Sequence, residues 1–246
     1  MSDAGNEATS VLVTPVWKDS RRLSHYAPEL AQALAAADRP VTWVIADDGS
    51  GAEEIARLEK VRDEARRIFP HIHLHAAAAH RGKGAVVREA WSGYPRARWL
   101  GFVDADGSVT GPDMLRLFAE AEKARNSVIG VRVRTDSTSI HESAWRALRH
   151  RGFLLAVRLM LDLETFDTQC GAKVIQGEAF RKVAGRLHED GFAFDVELLV
   201  EMQVAGFSWE EMPVSWEEKE HSRLKPGESW RMLQALRRIQ RRILEL

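Results

Sequence analysis

The fold of this chain is restricted most by the regular alternation of short apolar runs with longer amphipathic segments. Apolar runs lie at residues 11–15, 41–46, 71–76, 99–103 and 127–133, and each has the length of a buried strand. Helical patterns occupy the intervals at 22–37, 52–68, 81–91 and 112–124. This β-α-β-α order predicts an α/β fold, a mostly parallel, twisted, Rossmann-like sheet with helices on both faces.

No repeat, low-complexity segment or long linker divides the 246 residues, so we expect a single domain with a more irregular C-terminal third. The formal net charge of −1 offers no general attraction for nucleic acid. One cysteine, Cys170, excludes an internal disulfide and fits a reducing compartment. The first ten residues lack a signal-peptide pattern, and the apolar segment 152–166 is short and interrupted by Arg158 and Asp162. We therefore expect a cytoplasmic protein.

Acidic residues directly follow two of the predicted strands. Asp47 and Asp48 end the run at 41–46, and Asp104 and Asp106 follow the run at 99–103. Open α/β sheets bind ligands at the carboxyl ends of their strands, so these side chains are expected to line one crevice. Carboxylate oxygens are the ligands that Mg²⁺ and Mn²⁺ prefer, often shared with substrate phosphates. A turn-forming role is the alternative for any single aspartate.

Three further polar segments are candidates for ligand contacts. Lys83, between two glycines at a helix start, is placed to approach an anion, or it is a solvated lysine in a flexible turn. Residues 165–175 begin with a polar stretch that includes Gln169 and precede a strand-like segment. Asp195 and Glu197 lie near the start of an apolar helix, where an acid is often only a dipole partner. Six arginines are candidate phosphate ligands, although a solvated helix face explains some of them: Arg132, Arg134, Arg146, Arg149, Arg151 and Arg158.

Taken in order, these motifs resemble those of the family 2 inverting glycosyltransferases of the GT-A fold. Within that family the chain resembles the polyprenyl-phosphate glycosyltransferases, and in particular the dolichyl-phosphate β-glucosyltransferases. The resemblance covers residues 11–246. Its matching segments are PVWKD at 15–19, DDGS at 47–50, GKG at 82–84, DADG at 104–107, GVR at 130–132, DTQCGAK at 167–173, FDVELL at 194–199, VSW at 214–216 and HSRL at 221–224. Ala172 stands where the family has phenylalanine, Lys18 where it has asparagine, and Arg223 where it has lysine.

The resemblance implies a role for each matched position. A nucleotide-sugar donor, which the resemblance indicates to be UDP-glucose, is expected to contact Pro15, Asp19, Asp48, Lys83, Asp104, Ala105 and Asp106. Among these, Asp104 and Asp106 would hold Mg²⁺ or Mn²⁺ on the donor diphosphate. Basic and hydroxyl side chains expected near the donor or acceptor phosphates are Arg132, Arg146, Lys173, Ser222 and Arg223. Gln169 and Asp195 are expected to face the sugar.

The implied reaction transfers a hexose to a polyprenyl phosphate, and the nature of the acceptor decides the role of Asp195. A phosphomonoester with a second pKa near ~6 is mostly dianionic at neutral pH and needs no general base. A hydroxyl acceptor, on a small molecule or glycan, needs a carboxylate to take its proton, and Asp195 is then the first candidate. The basic residues predicted around the site favour the phosphate. A nucleotidyltransferase is disfavoured because no glycine-rich signature follows the first strand, and intact acidic motifs disfavour a non-catalytic descendant.

The C-terminal segment predicts a basic amphipathic helix. Trp230, Leu233, Leu236, Ile239 and Ile243 recur at three- and four-residue spacing, and arginines occupy much of the remainder. Such a helix packs its apolar side on its own domain or lies on an anionic membrane. Attachment at the inner face of the membrane would give a chain without the family's N-terminal anchor access to a lipid acceptor. The expected organisation is a tail at 1–10, a GT-A domain at 11–228 and this helix at 229–246.

Overall fold

A computed structural model describes residues 9–37, 39–141, 144–218 and 228–245 of the chain, and within the helix that begins at residue 144 it leaves several side chains undescribed. Strands and helices alternate as β1 Ser10–Val16, α1 Ser20–Ala36, β2 Val41–Asp47, α2 Ala52–Arg66, β3 Ile72–Ala76, α3 Lys83–Ser92, β4 Trp99–Val103, α4 Gly111–Ala124 and β5 Ser127–Val131. The C-terminal part continues with β6 Ile140–His141, α5 Ala144–Leu161, β7 Ala172–Gln176, α6 Gly177–Val183, α7 Phe194–Val204, β8 Trp209–Pro213, β9 Trp216–Glu217 and α8 Glu228–Leu244. The predicted α/β alternation is confirmed.

The main sheet has seven strands in the order β3-β2-β1-β4-β7-β5-β8. All neighbouring pairs are parallel except those that β7 makes with β4 and β5. The first strand was predicted to end at Pro15, but it continues to Val16 because Pro15 pairs with Ala46 of β2. Proline is tolerated in this central strand because the ladder from β1 to β4 stops at Val13, before the missing N–H would be needed.

Two apolar layers cover the sheet. Helices α1, α2 and α4 bury residues such as Leu30, Leu58 and Leu117 against one face. Helices α3, α5, α6, α7 and α8 bury residues such as Val86 and Phe194 against the other. Helices therefore lie on both faces, as the strand–helix alternation predicts.

The C-terminal helix α8 packs most of its apolar side on its own domain, while Trp230 near its start is 56% exposed. Leu236 and Ile239 are at most 1% exposed and belong to the second apolar layer. Two ion pairs reinforce this contact: Arg238 with Glu189 at 2.6 Å, and Arg242 with the fully buried Glu197 at 2.6 Å. Of the two interpretations of this helix, packing on the domain accounts for its buried apolar residues. None of the helices in the described ranges has an apolar stretch that would cross a bilayer.

Candidate active site

The candidate site lies where three adjacent parallel strands, β2, β1 and β4, end at the same edge of the sheet. The chain order reverses between β1 and β4, since β2 and β3 lie on one side of β1 and β4 lies on the other. Such a reversal opens a crevice beyond the carboxyl ends of the strands, which is where ligands bind in open α/β sheets. After β2 and β4 the chain turns through Gly49 (φ 65°) and Gly107 (φ 68°), a conformation that favours glycine.

Asp48, at the end of β2, holds the loop that leads into α3. One carboxylate oxygen accepts the N–H of Arg81 at 2.9 Å, and the other accepts the N–H of Gly82 at 2.8 Å and lies 2.7 Å from Nδ1 of His80. The His80 ring stacks on Trp17, which follows β1, with ring centroids 4.0 Å apart and an angle of 14°. Pro15 is half-buried near the end of β1, two residues before Trp17. The result is a flat aromatic surface at the rim of the crevice.

The residues after β1 and β4 are joined by an arginine. Arg22 of α1 lies 2.5 Å from Asp19 and 3.9 Å from Asp106. Asp106 also accepts the N–H of Ser108 at 2.9 Å, which shapes the turn, and keeps 29% of its side chain exposed. Ala105, between the two aspartates, is buried in the first apolar layer and leaves only its neighbours' carboxylates toward the crevice.

Lys83, the first residue of α3, connects the turn after β4 with helix α7. Its ammonium lies 2.9 Å from Oδ1 of Asp104 and 3.2 Å from Oδ2 of Asp195. Burial by itself lowers the pKa of Lys83, but the two carboxylates outweigh it and raise that pKa. Asp104 remains 39% exposed, and the loss of surrounding water raises its pKa despite the nearby ammonium. Lys83 is thus a fixed positive charge between two acidic groups of the crevice.

Lys173 is completely buried beneath this bridge. Its ammonium donates to the carbonyls of Thr168 (3.0 Å) and Cys170 (2.8 Å) and to Oδ1 of Asp195 (2.8 Å). These three acceptors match the three N–H donors of an ammonium group. The structure therefore places Lys173 behind Asp195, where it holds the residue 168–170 loop, rather than at the open surface expected of a phosphate ligand.

The polar stretch at 167–169 is fixed by a second buried ion pair. Arg132, at the end of β5, binds both oxygens of Asp167, at 2.5 Å through Nε and 3.0 Å through a terminal nitrogen. The side chains of Arg132 and Asp167 are only 7% and 1% exposed. Gln169 donates its backbone N–H to Asp167 at 2.9 Å and directs its amide toward Met232 of α8, 3.5 Å away. Arg132 and Gln169 are thus tied into the walls of the crevice.

The structure does not describe the side chains of three predicted phosphate ligands. Ser222 and Arg223 fall in the segment 219–227, and the side chain of Arg146 on α5 is not described. Their assignment remains a prediction from the resemblance.

Glu197, noted beside Asp195, faces the opposite way and accepts the backbone N–H of Glu189 at 2.7 Å. It supports the α7–α8 contact instead of the crevice.

Some site residues escaped the sequence analysis. Trp17 belonged to a recognised motif without a role, although an aromatic residue directly after a strand at this edge was a usable signal. His80 carried no signal, since only the folded chain stacks it on Trp17. Gly171 approaches the acidic turn so closely that a methyl group there would lie 2.1 Å from Oδ2 of Asp104.

Asp104 and Asp106 fit a divalent cation through the chemistry of their donors. Both offer carboxylate oxygens at least partly exposed in the crevice. In the described part of the chain, no group of three or more His, Cys, Asp or Glu side chains is arranged to hold a metal. The protein itself therefore supplies few ligands, and Mg²⁺ or Mn²⁺ commonly completes its shell with water and substrate phosphates.

Comparison with known proteins gives relatives along most of the chain. It is 34% identical over 240 residues to the dolichyl-phosphate β-glucosyltransferase of Drosophila melanogaster, covering 94% of this chain and 73% of the relative. The enzymes of the same name from Saccharomyces cerevisiae and Homo sapiens are 29% and 33% identical over 74% and 61% of the chain. The chain spans only 58% and 48% of those two relatives. A search of protein-family profiles finds no match.

Solved structures show the same fold. Glucosyl-3-phosphoglycerate synthase from Mycobacterium tuberculosis, in complex with Mn²⁺, UDP and glucosyl-3-phosphoglycerate, superposes with a TM-score of 0.59 at 12% identity, covering 99% of this chain and 81% of that one. A mannosyltransferase from Pyrobaculum calidifontis, bound to GDP-mannose and Mn²⁺, gives 0.58 at 14% identity, covering 92% and 61%. Fold, site and relatives together define a glycosyltransferase of the GT-A fold. More particularly, the chain belongs to the dolichyl-phosphate β-glucosyltransferase family.

Proposed function

We propose that this protein transfers glucose from UDP-glucose to a polyprenyl phosphate, with inversion at the anomeric carbon. The names of its relatives support the sugar and the lipid acceptor, and the UDP in a structural neighbour supports the nucleotide. The observation that carries the proposal is the bridge from Asp104 through Lys83 to Asp195. It joins the acidic turn expected to bind the donor to the α7 residue expected to face the sugar.

The environment of Asp195 favours a phosphate over a hydroxyl as the acceptor. One of its oxygens accepts from Lys173 and the other from Lys83, and the residue is only 2% exposed. A general base needs an oxygen within hydrogen-bond reach of the acceptor proton, whereas each oxygen of Asp195 already accepts from an ammonium group and the carboxylate is almost completely buried. A phosphate dianion carries no proton that must be removed before it attacks. Asp195 then has a positioning role.

In the proposed reaction a phosphate oxygen attacks the anomeric carbon from the face opposite the nucleotide. The new O–C bond forms as the bond from that carbon to the diphosphate breaks, and its electron pair leaves with UDP. Asp104 and Asp106 would hold a divalent cation, which supplies positive charge to the diphosphate. Lys83 lies next to the same turn and adds a fixed positive charge that does not need to reorganise during the reaction.

The remaining residues of the site keep these groups in place or bind the substrates. Lys173 orients Asp195 from behind, and the Arg132–Asp167 pair keeps the 167–170 loop closed against the sheet. The Trp17–His80 stack offers an aromatic surface for the nucleobase, beside Asp48 and close in the chain to Pro15. Arg146, Ser222 and Arg223 are proposed to bind the acceptor phosphate. Because that acceptor is a lipid, we place the protein on the cytoplasmic face of a membrane as a peripheral protein.

A donor panel tests this proposal. Purified protein is mixed with Mg²⁺ or Mn²⁺ and one of UDP-glucose, UDP-N-acetylglucosamine, UDP-galactose or GDP-mannose, with and without a polyprenyl phosphate, while release of nucleoside diphosphate is measured. Release that requires both UDP-glucose and the lipid phosphate is the expected result. Release that requires one donor but is unaffected by the lipid phosphate would contradict the proposed acceptor. No release from any donor, together with no nucleotide binding by calorimetry, would overturn the proposal.

A further inference from the structure

Helix α5 (Ala144–Leu161) is apolar on two opposite sides. Its inner side packs into the second apolar layer, where Val157 is fully buried and Leu161 is 7% exposed. Its outer side carries Leu148, Leu155 and Leu159, which are 61%, 57% and 76% exposed. A helix on the surface of a soluble domain normally has one apolar side and one polar side. The second apolar side of α5 is therefore unusual.

The three exposed leucines form one stripe. They are separated by seven and four residues, and both spacings return to the same side of an α-helix. Phe166, 70% exposed, follows soon after the end of α5. Phe166 directly precedes Asp167, which is bound by Arg132 in the wall of the candidate site. We call the three leucines, Leu148, Leu155 and Leu159, the outer apolar surface.

The two helices at this surface carry mostly positive charge, and acidic side chains lie beyond the end of α5, where Glu164 is exposed and Glu211 accepts the backbone N–H of Phe166. Helix α5 contains four arginines and no acidic residue. Helix α8, which packs against it, contains five arginines and one acidic residue, Glu228. Arg151 and Arg158 are exposed beside the leucine stripe, and Arg158 also pairs with Glu164 at 2.7 Å. The formal net charge of the whole chain is −1, so this positive charge is a local concentration.

We propose that the outer apolar surface docks on an anionic lipid bilayer, with its leucines at the boundary between headgroups and acyl chains. Apolar side chains flanked by arginines are the combination that binds a negatively charged membrane surface. A second copy of the chain is a poorer occupant, because it would bring the same positive charge to the contact. The inference rests on the proposed function for its lipid acceptor, and docking through α5 would bring the membrane surface to the helix whose end leads into the 167–170 loop.

Vesicle binding tests the inference directly. The full chain is mixed with vesicles of phosphatidylcholine and phosphatidylglycerol, or of phosphatidylcholine alone, and the bound fraction is measured by flotation. We expect binding to the anionic vesicles and at least about tenfold weaker partitioning for Leu155→Ser/Leu159→Ser, because two buried leucines are lost from the contact. The matched control is Ile68→Ser, which changes an apolar residue 38% exposed after α2 and should bind as the parent does.

Two further measurements separate the possible outcomes. Circular dichroism melting checks that the double variant is folded, and transfer to a short, water-soluble prenyl phosphate checks the chemistry without a membrane. For the double variant we expect transfer to the soluble acceptor to be retained and binding to anionic vesicles to be lost. Absence of vesicle binding by the parent, or equal binding by the double variant, overturns the docking surface. A self-association that the double variant abolishes, without vesicle binding, would assign the surface to a second copy. If the parent does not transfer glucose to the soluble acceptor, this result counts against the proposed function. The vesicle-binding result tests only the docking surface.

Discussion

The ammonium of Lys173 lies 2.8 Å from Oδ1 of Asp195, and the two side chains are 0% and 3% exposed. Lys173 comes from β7, the strand that runs antiparallel between β4 and β5, and Asp195 comes from the first turn of α7. The pair therefore joins the centre of the sheet to a helix on one of its faces. It also fixes the orientation of an acidic side chain at the crevice.

Lys173→Met should uncouple the position of Asp195 from the sheet. We expect turnover to fall about 100-fold with little change in the donor KM, because small misplacements of a positioned group are costly. Asp195 keeps Lys83 as a partner, so we expect the free energy of unfolding to fall by less than the roughly 3–5 kcal/mol that an uncompensated buried charge costs. Steady-state kinetics and urea unfolding measure the two effects. Lys123→Met, at a side chain 77% exposed, is the control, and unchanged turnover in Lys173→Met would refute the positioning role.

A second variant of the pair separates stability from activity. Lys173→Met/Asp195→Asn removes both charges, so we expect it to recover part of the lost stability. Turnover should stay low, because this variant also lacks the Asp195 carboxylate. Recovery of turnover by the double variant would show that Asp195 is dispensable.

Gly171→Ala should displace the acidic turn after β4. The added methyl group would lie 2.1 Å from Oδ2 and 2.5 Å from Cγ of Asp104, so the carboxylate must move. We expect turnover to fall by about 100-fold and the affinity for Mn²⁺, measured by calorimetry, to weaken. Gly185→Ala is the matched control, since a methyl group there meets no atom within 4 Å. Equal Mn²⁺ affinity in the two variants would contradict the assignment of Asp104 as a ligand.

Asp167 should contribute to stability in a way that depends on pH. Burial by itself raises the pKa of this carboxyl, but the Arg132 guanidinium outweighs it and holds that pKa below its usual value. A carboxyl with a lowered pKa in the folded state stabilises the protein above its unfolded-state pKa of ~3.9, and this stabilisation is lost as the pH falls through the folded-state pKa. Asp167→Asn should therefore lower the free energy of unfolding at pH 7 and flatten its decline below about pH 5.

Urea unfolding at a series of pH values measures this effect. Asp63→Asn is the control, because Asp63 also has a lowered pKa beside an arginine but lies on the surface, where solvent screens the pair. We expect a clearly smaller change for Asp63→Asn. Parallel pH profiles for the parent and Asp167→Asn would contradict the prediction.

Cys170 should be unreactive in the folded protein. Burial raises the pKa of its thiol to about 12, so almost no thiolate forms near neutral pH. We expect iodoacetamide to label the native protein very slowly at pH 8 and quickly in urea, and mass spectrometry can follow the single cysteine. The raised pKa also implies that stability declines above about pH 8.5, where the thiol ionises only in the unfolded chain. Rapid labelling of the native protein would show that the loop opens.

The local sequence determined those features that depend only on residues close together in the chain, namely the strands, the helices and the edge of the sheet at which the candidate site lies. The spacing of apolar residues predicted the strands and helices from β1 to β5, because strand and helix periods are local properties. The acidic pairs after two strands predicted the edge of the sheet where the candidate site lies, since parallel strands end together. The amphipathic period of α8 predicted a helix, but it left open whether the apolar side packs on the domain or on a membrane.

Only the tertiary structure decided which distant groups meet. The antiparallel insertion of β7 beside β4 places Lys173 under Asp195, and no local pattern distinguishes a buried lysine from an exposed one. Packing also showed that α8 buries most of its apolar side while α5 exposes leucines on its outer side. The physical reason is that these contacts join segments far apart in the chain, and their formation depends on the shape and charge of the whole folded domain.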